Sequence, residues 1–257
     1  MAEHKRLPFV QTAWAVCARE WNAAFDSALA WLTIALAVLA LNATALNEFF
    51  LAGRLELRAL FETLPMVLVV LAPALGMRLW SEDLRQRTAE LWLTLPVRTG
   101  AIVLGKYLAL LGLYTLVLVG TLPLVILLCQ LGDPPLLAIA RGYLGALALG
   151  AALLAIAGFF STLHAEALSA FVSAAFTAFV LLALGDARVM AILDGLLPGS
   201  GLGSLLGERV ALLGAYQELV YAPSFDWIST LLPVLRLLLV TLLFLWGAQR
   251  GAARNRA

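Results

Sequence analysis

The feature that most constrains this chain is the length of its runs without charge. Ser27 to Asn47 holds 21 residues with no Asp, Glu, Lys or Arg; Tyr107 to Gly132 holds 26, Gly142 to Ala165 holds 24 and Ala167 to Gly185 holds 19. Thr63 to Met77 adds 15, which reach Trp80 if Arg78 snorkels, and Trp227 to Gln249 is a run of 23 broken only by Arg236. A helix needs about 20 apolar residues to cross roughly 30 Å of hydrocarbon. The runs do not alternate as the strands of a membrane barrel must. Composition agrees: 63% of the 257 residues are hydrophobic and 13% are charged, against about 25% charged in soluble domains. The expected fold is an all-α membrane protein, a single domain with six transmembrane helices near 27–47, 64–80, 105–131, 142–162, 167–185 and 227–249.

With six spans both termini share one side. That side carries Lys5, Arg6, Arg19, Arg78, Arg85, Arg87, Arg98, Lys106, Arg250, Arg254 and Arg256; the other carries Arg54, Arg58, Arg141, Arg188 and Arg209. Basic residues accumulate on the cytoplasmic side of membrane proteins. The expectation is a multi-pass protein of the inner (cytoplasmic) membrane with both termini in the cytoplasm. The formal net charge of +1 points to no particular partner, and no nucleic acid is expected.

The start does not read as a cleaved signal, because Arg19, Glu20 and Asp26 interrupt its apolar stretch. Residues 7–25 read instead as an amphipathic helix at the interface, with Phe9, Trp14, Trp21 and Phe25 in the headgroup region and Arg19 and Glu20 facing water. Cys17 and Cys129 fall at different depths or on opposite sides, so no disulfide is expected between them. The first outer loop, Glu48 to Glu62, could hold a small surface helix.

The loop between spans two and three is the most charged part of the chain: "WSEDLRQRTAELWLTLPVRTGAIVL", Trp80 to Leu104. Ser81 is a plausible helix cap, with Glu82 and Asp83 in the first turn, where the helix dipole favours anions. Leu84, Thr88, Leu91 and Leu95 recur at helical spacing. Pro96 ends this helix, predicted over 81–95, and Thr99 can cap the next. Spans four and five meet in a tight inner turn bearing His164 and Glu166, too few ligands for a metal site. The outer loop 186–226 opens with an amphipathic piece, passes through "PGSGLGS" and continues into a helix within "ERVALLGAYQELVYA".

The stretch from Gly100 to Tyr107, "GAIVLGKY", fits seven positions of the phosphate-binding pattern G-x-x-x-x-G-K-[ST]. That loop requires a preceding buried strand and a hydroxyl for Mg²⁺. Here Pro96 and an amphipathic helix come first, Tyr107 stands at the eighth position, and Ala101 to Leu104 already read as a membrane helix. The chain is not expected to bind ATP itself.

Glu82 to Lys106 resembles the membrane subunits of type-2 ABC exporters, in the branch of gliding-motility and copper-enzyme-maturation permeases. Members of that branch read E-E-x-R-x-G-T-x-E-L-L-L-T-L-P-V, then G-K about eight residues on. The matching residues are Glu82, Asp83, Arg85, Thr88, Glu90, Leu91, Leu93, Thr94, Leu95, Pro96 and Val97, then Gly105 and Lys106. Arg87 stands where the family usually has Gly, and Trp92 replaces an aliphatic residue. The resemblance implies a non-catalytic permease subunit that pairs with a second copy or a related permease and docks on a separate cytoplasmic ABC ATPase. That ATPase alone would bind ATP and Mg, so the chain needs no cofactor or metal of its own. It also implies that the helix over 81–95 is a coupling helix, with Glu82, Asp83, Arg85, Thr88 and Glu90 as ATPase contacts and the turn at His164 and Glu166 as a second contact. An accessory subunit with a large outer domain is a further possible partner, and membrane lipid surrounds the whole.

Arg236 lies nine residues into span six. A charge at that depth usually faces the protein interior, so it either lines a path or subunit interface and pairs with an anionic group, or it snorkels outward or is neutralised by a structural partner. Two other classes of function compete. One is a scaffold that anchors an ATPase and conducts nothing. The other is an intramembrane enzyme, which would need paired catalytic groups at membrane depth; the spans hold no acidic residue, and the only nearby histidine is His164.

Overall fold

A computed structural model of the chain describes residues 8–52, 57–85, 97–196, 211–221 and 227–254. Among them every regular element is helical: α1 Phe9–Phe25, α2 Ala28–Ala52, α3 Arg58–Gly76, α4 Arg78–Arg85, α5 Thr99–Val119, α6 Leu122–Leu131, α7 Leu136–Leu163, α8 Ala167–Ala183, α9 Ala187–Leu196, α10 Leu212–Tyr221 and α11 Trp227–Arg254. Five stretches are long and apolar enough to cross a membrane: Ala28–Asn47, Arg58–Arg85, Thr99–Leu131, Leu136–Leu163 and Thr230–Arg254. The other predicted span, Ala167–Ala183, is apolar but only 17 residues long.

α7 is the hub. It packs against α3, α4, α5, α8, α10 and α11, and 78% of its apolar window is buried, against 17% for α2 and 22% for the last span. Small residues make this possible: "GALALGAALLAIAG" runs through its centre, and a Cβ added at Gly150 would overlap the Tyr114 ring. Two tyrosines of α5 tie it to the hub. Tyr107 donates to the Ala151 carbonyl at 3.0 Å and Tyr114 to the Ala146 carbonyl at 2.7 Å, as buried phenols require.

The breaks follow from sequence. α5 gives way to α6 because Pro123 lacks the N–H that would reach back to the Val119 carbonyl. Asn42 of α2 donates to the nearby Gly120 carbonyl at 3.1 Å, replacing part of what the interrupted helix lost. Pro65 and Pro73 lie within α3; Pro65 frees the Phe61 carbonyl, which accepts from Tyr216 of α10 at 2.7 Å.

Several boundaries differ from the sequence reading. No separate surface helix occupies the described parts of the first outer loop: α2 runs on to Ala52 and α3 starts at Arg58. α7 begins at Leu136, so Arg141, expected in an outer loop, is a buried residue of the helix. Ser81 does not cap a new helix, because α4 has already begun at Arg78. Thr99 is the first residue of α5, and Arg98 holds the cap position. Residues 86–96, and with them Thr88, Glu90 and most of the predicted 81–95 helix, lie outside the described residues, as does "PGSGLGS". In the outer loop, α9 and α10 match the amphipathic piece and the later helix. α10 packs on α7 and α11 through Leu212, Ala215, Tyr216 and Leu219.

Candidate functional site

The described ends of the chain meet at one end of the bundle. Val16 of α1, Trp80 of α4, Ile102 and Val103 of α5, and Ala248 and Ala252 of α11 form a separate small core there. This terminal end also holds most of the residues singled out from sequence.

Its centre is Lys106, 1% exposed. The ammonium group donates to the Leu79 carbonyl at 2.6 Å and forms ion pairs with Asp83 Oδ2 at 2.8 Å and Glu20 Oε1 at 3.0 Å. Nζ also stands 5.0 Å from the centre of the Trp80 ring, within cation–π range. Arg19 reaches the same Glu20 oxygen at 2.6 Å. A buried charge is tolerable only when paired and hydrogen-bonded, and here the partners come from two different elements. Glu20, expected to face water, is instead turned inward on α1. Gly105 allows that approach: a Cβ there would overlap the Ala13 carbonyl oxygen and crowd Val16. The Gly-Lys pair that imitates a phosphate loop is thus the docking point of α1, glycine giving room and lysine the tie.

α4 is held from a second side. Its first-turn N–H groups have no partners within the helix. The Ser161 hydroxyl of α7 accepts from Trp80 N at 2.9 Å and Ser81 N at 3.2 Å, and donates to the Met77 carbonyl at 3.1 Å. Ser81 is buried and its hydroxyl also donates to the Met77 carbonyl, the back-bonding habit of serine inside a helix. The cap of this helix is therefore a residue eighty positions later in the chain, not its own Ser81.

Of the expected contacts in the described part of α4, Asp83 is committed to Lys106, whereas Glu82 and Arg85 are exposed. They line a concavity of about 340 Å³ together with Arg78, Ser81 and the 165–167 turn, including Glu166. The structure thus brings α4 and the 165–167 turn to one place. His164 does not line it; its Nδ1 lies 3.1 Å from the Phe160 carbonyl and its Nε2 3.5 Å from the Ser173 hydroxyl. Glu166 accepts from Ser169 at 3.2 Å.

Arg236 lies elsewhere. Its guanidinium is 3.5 Å from Glu218 of α10, and both side chains are substantially exposed. α10 is anchored beside it by Tyr216, whose hydroxyl donates to the Phe61 carbonyl at 2.7 Å. The structure thus gives Arg236 an acidic neighbour on α10.

Cys17 and Cys129 are free thiols, and burial raises the pKa of Cys17, which disfavours the reactive thiolate. No cluster of three or more His, Cys, Asp or Glu able to hold a metal occurs among the described residues. The burial of Lys106 was missed from sequence, where it counted toward topology and as half of the Gly-Lys pair. Its signal was available: an ionisable residue inside "AIVLGKYLALL" needs a partner, and the reasoning applied to Arg236 applies there with more force. No protein-family model matches the chain, and no curated protein matches it.

Proposed function

We propose that this chain is the permease subunit of an ATP-driven ABC exporter. It would reside in the inner membrane with six spans and both termini in the cytoplasm. It would pair with a second permease and couple to a separate ATPase that alone binds ATP and Mg. The observation that carries this reading is the attachment of α4. Glu82 and Arg85 stand on its exposed side beside Glu166, while Ser161 and Lys106 fasten its inner side to α7, α5 and α1. A partner pressing on that charged surface would move an element tied to three others, and packed interiors transmit displacement because they compress little.

Six spans require α8 to cross. Its 17 residues extend about 26 Å at 1.5 Å each, and thinning of the bilayer accommodates the remaining few ångströms. The described core of the single bundle is filled by α7, so a cargo path would run between two copies. The apolar walls suit a lipid-linked or amphipathic cargo better than a highly charged one.

The test is co-expression with the ATPase encoded beside it and measurement of ATP hydrolysis in lipid. The wild-type chain is expected to retain the ATPase through purification. The double variant Glu82→Ala, Arg85→Ala should lose it or uncouple its hydrolysis while the permease remains folded. No co-purification and an indifferent double variant would overturn the reading.

A further inference from the structure

A groove of about 560 Å³ opens beside Lys106, between α1, α2, the α3–α4 joint and α5. That is the size of a small-molecule site. Its chemistry changes along its length. At the terminal end the walls carry Arg19, Arg78 and Glu82, with Lys106 and its two carboxylates behind them. Further in, they carry Leu29, Ala30 and Leu113, which belong to stretches apolar enough to cross a membrane. Whatever fills the whole groove is an amphiphile with its polar end at the charged rim.

The charges specify which polar end. Lys106, Arg19, Glu20 and Asp83 form one connected set of two cations and two anions, so it sums to zero. The rim then adds Arg78 and Glu82, four residues apart and therefore on one face of α4. A purely anionic headgroup would find the guanidiniums but would also meet the carboxylates. A headgroup carrying both signs matches the rim. Arg78 and Arg19 offer guanidinium forks suited to phosphate. Glu82 offers acceptor oxygens, which a primary ammonium can satisfy with N–H donors and a quaternary one cannot.

We propose that this groove binds one phospholipid whose headgroup joins a phosphate to a primary ammonium. The phosphate sits at Arg78 and Arg19, the ammonium at Glu82, and the start of the acyl chains along Leu29, Ala30 and Leu113. The lipid thereby lies against both elements that Lys106 holds, α1 and α4.

The test needs no ATPase, so it stands or falls apart from the exporter reading. The full-length chain is purified in mild detergent with equal amounts of phosphatidylethanolamine, phosphatidylcholine and phosphatidylglycerol, and the retained lipid is counted by native mass spectrometry. One ethanolamine lipid per chain is expected, enriched about tenfold over choline lipid, the scale of one charge-assisted contact. Arg78→Gln should lower its retention by a similar factor. Ala30→Trp fills the apolar part and changes no charge, so it should lower retention too; it decides the matter if Arg78→Gln does not fold. Equal retention of the three lipids, preference for the glycerol lipid, or wild-type retention by a folded variant would overturn the proposal.

Discussion

Lys106 and Arg236 are both single cations in apolar helices, and each has a carboxylate partner. They sit in opposite kinds of environment. Lys106 is 1% exposed, with a hydrogen bond to the Leu79 carbonyl and ion pairs to two acids from separate elements. Arg236 and Glu218 are 40% and 52% exposed and 3.5 Å apart. At the far end of the bundle a further pair among the described residues, Arg58 with Glu62, is also exposed and joins neighbouring turns of one helix. An exposed pair contributes about 0 to 1 kcal/mol, whereas removing one member of a buried pair strands the other and costs about 3 to 5 kcal/mol. Sequence makes the two cations look alike. Burial makes one of them structural and the other nearly dispensable.

Four substitutions rank this difference, each read as the thermal unfolding midpoint of the purified chain in detergent. Lys106→Met should have the largest effect, about 3 kcal/mol or more, because Glu20 and Asp83 are left with their charges and no common partner. Adding Glu20→Gln and Asp83→Asn to it should recover much of that loss. If the triple variant is no better than the single one, stranded charge is not the cause. Ser161→Ala comes next at about 1 to 3 kcal/mol, since two buried N–H groups lose their acceptor while the Met77 carbonyl keeps Ser81. Tyr216→Phe follows at about 1 kcal/mol for one buried hydrogen bond. Arg236→Leu should change stability by no more than about 0.5 kcal/mol. A larger loss at Arg236 than at Lys106 would break the comparison outright.

The same contrast explains what was legible in the sequence. Charge-free runs mark helix interiors because each charged side chain placed in hydrocarbon carries its own cost, which leaves a local trace. The start of α7 was misjudged because a charge, Arg141, lies inside the helix and the charge-free run begins only after it. α4 was read as a new helix because Ser81 precedes two acids, a local signal; the true cap, Ser161, is far away in sequence and looks like any serine near a helix end. Glu20 was placed in water because amphipathic pattern alone cannot register a lysine 86 positions on. The charged patch of Glu82, Arg85 and Glu166 was legible piece by piece. Its convergence depends on how α7 returns the chain to α4.

The order of the Lys106 partners along the chain has a consequence for biogenesis. Both acids, Glu20 and Asp83, precede the lysine, and synthesis proceeds from the N-terminus. When Lys106 leaves the ribosome, the anions that will neutralise it have already been made, so α5 can settle against α1 without waiting for later segments. Ser161 works in the reverse order, for Trp80 and Ser81 must wait through eighty further residues for their acceptor. The first turn of α4 is therefore completed only when the hub helix arrives, and its last adjustment belongs to the second half of translation.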